Sequence, residues 1–128
     1  GDVEGLAKLE SGTVVKLLGD GALIRFPDAT RAVNGVQALK DRTSREGLPL
    51  IHAGIDTGPV VRRDGDVFGT VVNLASRASN KAGPGQILVT EAVVREWNGS
   101  RLSFEPTEPL HLRGLTRPVR LFSVSSKE

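Results

Sequence analysis

A few short stretches of this chain carry side chains able to do chemistry. Asp20 stands between Gly19 and Gly21, so its carboxylate is sterically open. A carboxylate on a tight turn suits a hard divalent cation such as Mg²⁺ or Mn²⁺, although Gly-Asp-Gly is also a plain turn signal. Four residues earlier, Lys16 interrupts the apolar run Val14-Val15-Lys16-Leu17-Leu18. Period-two alternation places Lys16, Leu18 and Asp20 on one side of a strand. A lysine there serves either chemistry or the protection of a sheet edge. Further along, Asp66-Val67-Phe68-Gly69 runs into Thr70-Val71-Val72-Asn73-Leu74-Ala75-Ser76-Arg77. On a helix, Asn73 and Arg77 lie one turn apart on the same face. Together they offer hydrogen-bond donors, and a guanidinium matches phosphate oxygens. Gly69 permits close backbone approach at a helix start, where anions are favoured. A solvated helix face would carry the same residues.

Hairpins and helices must position these side chains. Thr13 to Leu18 and Ala22 to Phe26 read as strands around a Gly-Asp-Gly turn, hence a hairpin. Asp28 is placed to cap a helix whose stripe is Ala29, Ala32, Val33, Val36 and Leu39, ending near Arg45 with Gly47 as stop. Leu48 to Asp56 reads as a strand, and Pro59 to Arg62 as a short one turned back at Asp64-Gly65. A second helix is expected from Gly69 to about Lys81, ended by Gly83-Pro84-Gly85. Gln86 to Val89 reads as a strand and Thr90 as the cap of a short helix through Trp97. Short strands follow near Phe104, Leu112 and Leu121 to Val124. The order predicts an α+β fold, a mixed or antiparallel sheet with helices packed on one face.

Composition excludes several alternatives. At 128 residues the chain reads as a single domain, 1–128. Cysteine is absent, which removes disulfides, thiolate metal sites and a cysteine nucleophile. A net charge of +2 is too mild for a nucleic-acid binder, which clusters its positive charge. The aromatic content of 4% also leaves little for stacking bases on a sheet. No apolar run approaches a membrane span and no signal-peptide pattern opens the chain. A cytoplasmic domain without membrane contact of its own is expected, whether free or part of a larger membrane-attached protein. His52 and His111 read as structural, and Trp97 and the phenylalanines as core or interface.

Five stretches occur in one register: Lys16-Leu17-Leu18-Gly19-Asp20-Gly21; Ala53-Gly54-Ile55-Asp56-Thr57-Gly58; Asp66-Val67-Phe68-Gly69 with Val72 to Arg77; Gly83 to Val89; and Leu112-Arg113-Gly114. In this the chain resembles the class III nucleotidyl cyclase catalytic domain of adenylate and guanylate cyclases, from about Ser11 to Val124. The resemblance implies a ferredoxin-like βαββαβ core with extensions, working as a head-to-tail homodimer with sites at the interface. By similarity, Asp20 is the second of two metal-binding aspartates, and two Mg²⁺ or Mn²⁺ ions per site activate the ribose 3′-hydroxyl and neutralise the triphosphate. Lys16 and Asp66 match the adenine-selecting pair: lysine donates to adenine N1 and aspartate accepts from the N6 amine. Asn73 would orient the ribose, and Arg77 would stabilise charge developing on the phosphates. The metal carboxylates come from one protomer and the other four residues from its partner. The implied reaction converts ATP to 3′,5′-cyclic AMP and pyrophosphate.

The match departs from the family in two places. The first metal aspartate normally precedes the second by a few dozen residues, yet the similar stretch Asp2-Val3-Glu4-Gly5 puts Asp2 only 18 positions before Asp20. Either a segment is missing between Gly5 and Leu6, the explanation favoured by the wording of the motif, or the domain is truncated and Asp2 mimics a ligand. In both cases part of the N-terminal region is expected to be lacking. The triphosphate-binding cation near the C-terminus falls on Arg113 or Arg117, and a surface arginine on a loop fits as well. The competing expectation is a degenerate cyclase-homology domain that binds nucleotide or regulates a partner without turnover.

Overall fold

A computed structural model describes residues 10–19 and 21–127. Asp2, Asp20 and the Gly5–Leu6 junction lie outside the described residues. The elements follow in the order β1 (Thr13–Leu18), β2 (Gly21–Arg25), α1 (Ala29–Arg45), β3 (Ala53–Ile55), β4 (Val61–Arg63), β5 (Asp66–Phe68), α2 (Thr70–Lys81), β6 (Ile87–Thr90), α3 (Glu91–Glu96), β7 (Leu102–Pro106) and β8 (Leu121–Ser126).

Among the described residues these strands form three hydrogen-bonded groups: the antiparallel hairpin β1–β2, the antiparallel hairpin β4–β5, and a sheet in the order β3-β6-β8-β7. In that sheet β3 and β6 run parallel, while β6–β8 and β7–β8 are antiparallel. The architecture is α+β with a mixed sheet. Helix α1 begins where its sequence says it should: the Asp28 carboxylate accepts a hydrogen bond from the Arg31 backbone N–H at 2.8 Å. The turn of β4–β5 is Asp64-Gly65, with φ of 51° and 78°. Two successive positive φ values match the right-handed twist of a hairpin, and Gly65 reaches that region without steric cost.

The core corrects one expectation about layers. Strand β6 is buried along its whole length, and its side chains serve two separate clusters. Ile87 and Val89 pack with Ala29, Ala32 and Val33 of α1, Ile55, Val93 and Val124. Leu88, pointing the other way, packs with Ala78 of α2, Leu110 and Leu121. Helices therefore cover both faces of the sheet, not one. The cause is the crossover from β3 to its parallel neighbour β6, which carries α2 over one face and leaves α1 on the other. The large, fully buried side chains among them, Ile87, Val89, Val33, Val93 and Leu121, each contribute about 1.5–3 kcal/mol. Trp97 and Phe104 meet edge to face at 5.5 Å beside the α1 cluster, as expected of core aromatics.

Other differences are local. The expected strand Leu48 to Asp56 shrinks to Ala53–Ile55, because only that stretch finds β6 as a ladder partner. The strand expected near Leu112 is a single bridge between Leu110 and Val119, since Gly114 turns the chain within the loop at φ 88°. Thr90 occupies the cap position of α3 without making the cap hydrogen bond. Its hydroxyl is buried and must find a partner. It donates instead to the Asp56 carboxylate at 2.6 Å, joining the ends of the parallel strands β3 and β6.

Candidate active site

The fold brings together two of the residues singled out from sequence. Lys16 on β1 and Asp66 on β5 are 50 positions apart, yet Lys16 Nζ donates to Asp66 Oδ2 at 2.8 Å. This ion pair joins the two hairpins. The second carboxylate oxygen, Oδ1, accepts from the Val67 backbone N–H at 2.8 Å. The Lys16 hydrogen bond, reinforced by the Val67 N–H and the lysine charge, holds the Asp66 carboxyl below the ordinary aspartate range. A carboxylate with a lowered pKa retains the pair above the ordinary range and loses it only as pH falls through its own, lower midpoint. A ¹³C titration of the Asp66 carboxyl should therefore show a midpoint below that of a free aspartate, and Lys16→Met should raise it. Equal midpoints in the two proteins would remove Lys16 as the cause.

The pair remains open to a ligand. The Lys16 and Asp66 side chains are 43% and 27% exposed, so neither is sealed in the core. A groove of about 560 Å³ adjoins Asp66, lined by Val15, Arg25, Arg62 and Arg63 among others. Side by side, an ammonium donor and a carboxylate acceptor can read one edge of a purine base.

Helix α2 follows β5 directly, with Gly69 at its N-cap, so the strand bearing Asp66 feeds the helix bearing Asn73 and Arg77. Both side chains are exposed, one turn apart on one helix face. Arg77 makes no ion pair among the described residues. The opposite side of α2 is seated on the sheet through Ala78 and Leu74. Arg113 and Arg117 lie exposed on the loop between Leu110 and Val119, and among the described residues neither joins the Lys16–Asp66 pair.

The β1–β2 ladder closes at the Leu18–Gly21 pair, and a side chain at Gly19 would meet open space. Among the described residues no group of three or more His, Asp or Glu is gathered as metal ligands. None of their helices is long and apolar enough to cross a membrane. Sequence reasoning read His52 as structural without its partner and missed the Asp56–Thr90 pair. His52 Nδ1 lies 2.7 Å from the Ser79 carbonyl oxygen of α2, a contact across 27 positions that no local pattern announces.

Comparison with known proteins agrees in kind. Residues 35–126 match the model of the adenylate and guanylate cyclase catalytic domain. A pH-sensitive adenylate cyclase of Mycobacterium tuberculosis is 35% identical over 117 residues, spanning 86% of this chain and 29% of that protein. An adenylate cyclase of Streptomyces griseus is 40% identical over 84 residues, 65% of this chain and 21% of that protein. The chain thus spans less than a third of these relatives. Among solved structures, an adenylate/guanylate cyclase/hydrolase from Silicibacter pomeroyi superposes with a TM-score of 0.83 at 29% identity, covering 95% of this chain and 77% of that one. An adenylyl cyclase of P. aeruginosa shares the fold with a TM-score of 0.78 at 22% identity, covering 99% and 78%.

Proposed function

The chain belongs to the family of adenylate and guanylate cyclase catalytic domains, and from that premise we propose that it converts ATP to 3′,5′-cyclic AMP and pyrophosphate at a site shared by two copies. The observation that carries the choice of ATP is the Lys16–Asp66 pair. Lysine donates to adenine N1, an acceptor, and aspartate accepts from the N6 amine. Guanine presents the reverse pattern, a donor at N1 and an acceptor at O6. Asn73 orients the ribose and Arg77 meets the charge that builds on the phosphates.

Two divalent ions, Mg²⁺ or Mn²⁺, belong to this proposal. Asp20, with Asp2 as the other candidate, would hold them. Carboxylate oxygens are the donors such hard cations take. When bound, the ions would supply activation of the 3′-hydroxyl and neutralisation of the triphosphate. Arg113 or Arg117 would add positive charge at the triphosphate.

Exposed apolar residues beside the pair support a head-to-tail homodimer. Leu17 is 72% exposed, and Leu18, Val61 and Phe68 are each more than half exposed. Val61 and Phe68 are register partners on β4–β5, so they share one face. These side chains stand on the same two hairpins as Lys16 and Asp66, where a second copy carrying the metal carboxylates would cover them. The test is cyclic AMP formation from ATP and Mn²⁺ across a protein dilution series. Activity is expected to fall faster than protein concentration. Nucleotide binding without any cyclic AMP would contradict turnover and leave a nucleotide-binding module.

A further inference from the structure

Gly54, in the middle of β3, has almost no space around it. A Cβ built there would lie 2.2 Å from both the Ala75 carbonyl oxygen and the Ser79 backbone nitrogen of α2, and 2.8 Å from the Ala78 carbonyl carbon. Every one of these neighbours is helix backbone, so no side-chain rotation could relieve the clash. Gly54 and Leu88 are register partners, and Leu88 packs on the same helix through Ala78. Strand and helix therefore touch backbone to backbone. Two residues before Gly54, the His52 ring holds the end of the same helix. Its Nδ1–H donates to the Ser79 carbonyl at 2.7 Å, with the Ser79 hydroxyl 3.4 Å from the same nitrogen. The same carbonyl accepts from the Ala82 backbone N–H at 3.2 Å, so the imidazole adds a second hydrogen bond at the helix end.

We propose that β3 positions α2 for the reaction: Gly54 sets the helix's distance from the sheet, and His52 fixes its last turn. The proposal rests on the cyclase reading, because it concerns where Asn73 and Arg77 stand. Ala75, Ala78 and Ser79, the points of contact, bracket Arg77 on the same turns. Asn73 is one turn earlier. A helix lifted at Gly54 carries both side chains with it, whereas Lys16 and Asp66, borne by the hairpins, stay in place. Relieving a 2.2 Å contact requires a shift of about 1 Å or more. A misplacement of that size costs roughly 10²-fold in rate.

The experiment compares Gly54→Ala, His52→Ala and His52→Asn with the unaltered chain, in steady-state turnover and in NMR of the free protein. For Gly54→Ala, kcat per nucleotide-binding site should fall about 100-fold. KM for ATP and the preference for ATP over GTP should hardly move. The Asn73 amide and Arg77 Nε–H signals should shift while the Lys16 Nζ signals do not. Unchanged kcat, or unmoved Asn73 and Arg77 signals, would overturn the proposal. If Gly54→Ala does not fold, the His52 variants decide. His52→Ala should lose several-fold in kcat and His52→Asn should regain it, since an asparagine amide can donate from the Nδ1 position. A His52→Ala protein equal to the unaltered chain in both kcat and NMR would refute the role. Should the unaltered chain make no cyclic AMP, the cyclase reading fails, and the NMR shifts still decide whether β3 places the two side chains.

Discussion

Arg77→Ala is expected to lower cyclic AMP formation by about 10²–10³-fold while ATP binding changes far less. The reason lies in what the side chain does and does not touch. Arg77 is exposed and makes no ion pair among the described residues, so removing it costs the fold little. Its guanidinium offers planar, paired donors that match phosphate oxygens. Cyclisation builds negative charge on the bridging and terminal phosphate oxygens as the pyrophosphate departs. On the proposed reading, a cation held one turn from Asn73 would stabilise that charge more than it stabilises bound ATP. Steady-state kcat and KM, with the melting temperature as a control, check it. A kcat within about threefold of the unaltered chain, on a folded protein, would remove Arg77 from the phosphates.

The second large effect concerns base choice. Lys16→Glu combined with Asp66→Cys is expected to move the ratio of kcat/KM for ATP over GTP by roughly 10²-fold toward GTP. Two base hydrogen bonds are reversed, each contributing about 1–1.5 kcal/mol. The glutamate accepts where guanine N1 donates, and the thiol donates weakly where O6 accepts. Both positions are partly exposed, so the exchange leaves no buried charge unpaired. Existing geometry favours the test. Lys16 and Asp66 are already held against each other at 2.8 Å, with Asp66 also fixed by the Val67 N–H. On the proposed reading, the donor and acceptor would then be held in place before a base arrives. Unchanged selectivity in the double variant would take the pair out of base recognition.

The parts of this molecule legible in its sequence are those governed by neighbours in the chain. Asp28 announces α1 because a cap needs only the next three residues. Asp64-Gly65 announces the β4–β5 turn because two positive φ values favour those residue types. What local pattern misses depends on partners far away. Leu48 to Ile51 are apolar enough for a strand but find no ladder. Thr90 has the look of a cap and spends its hydroxyl on Asp56, 34 positions distant. The second helical layer is visible only once Leu88 is seen facing Ala78 while its neighbours face α1. The site follows the same rule. Asn73 and Arg77 share a face by helical spacing alone. The meeting of Lys16 with Asp66 needed the family's ordered motifs to be suspected and the folded chain to be seen.

A site built from two copies makes one demand that no single-chain site makes. Asp20→Ala and Arg77→Ala proteins should each be nearly inactive alone, and their equimolar mixture should regain about a quarter of full activity, since half of the randomly re-formed dimers carry one intact site. The measurement is cyclic AMP formation from ATP and Mn²⁺ in that mixture, with dimers confirmed by sedimentation. Recovery near a quarter is the predicted result. A mixture no more active than the sum of its parts, with mixed dimers present, would contradict the shared site.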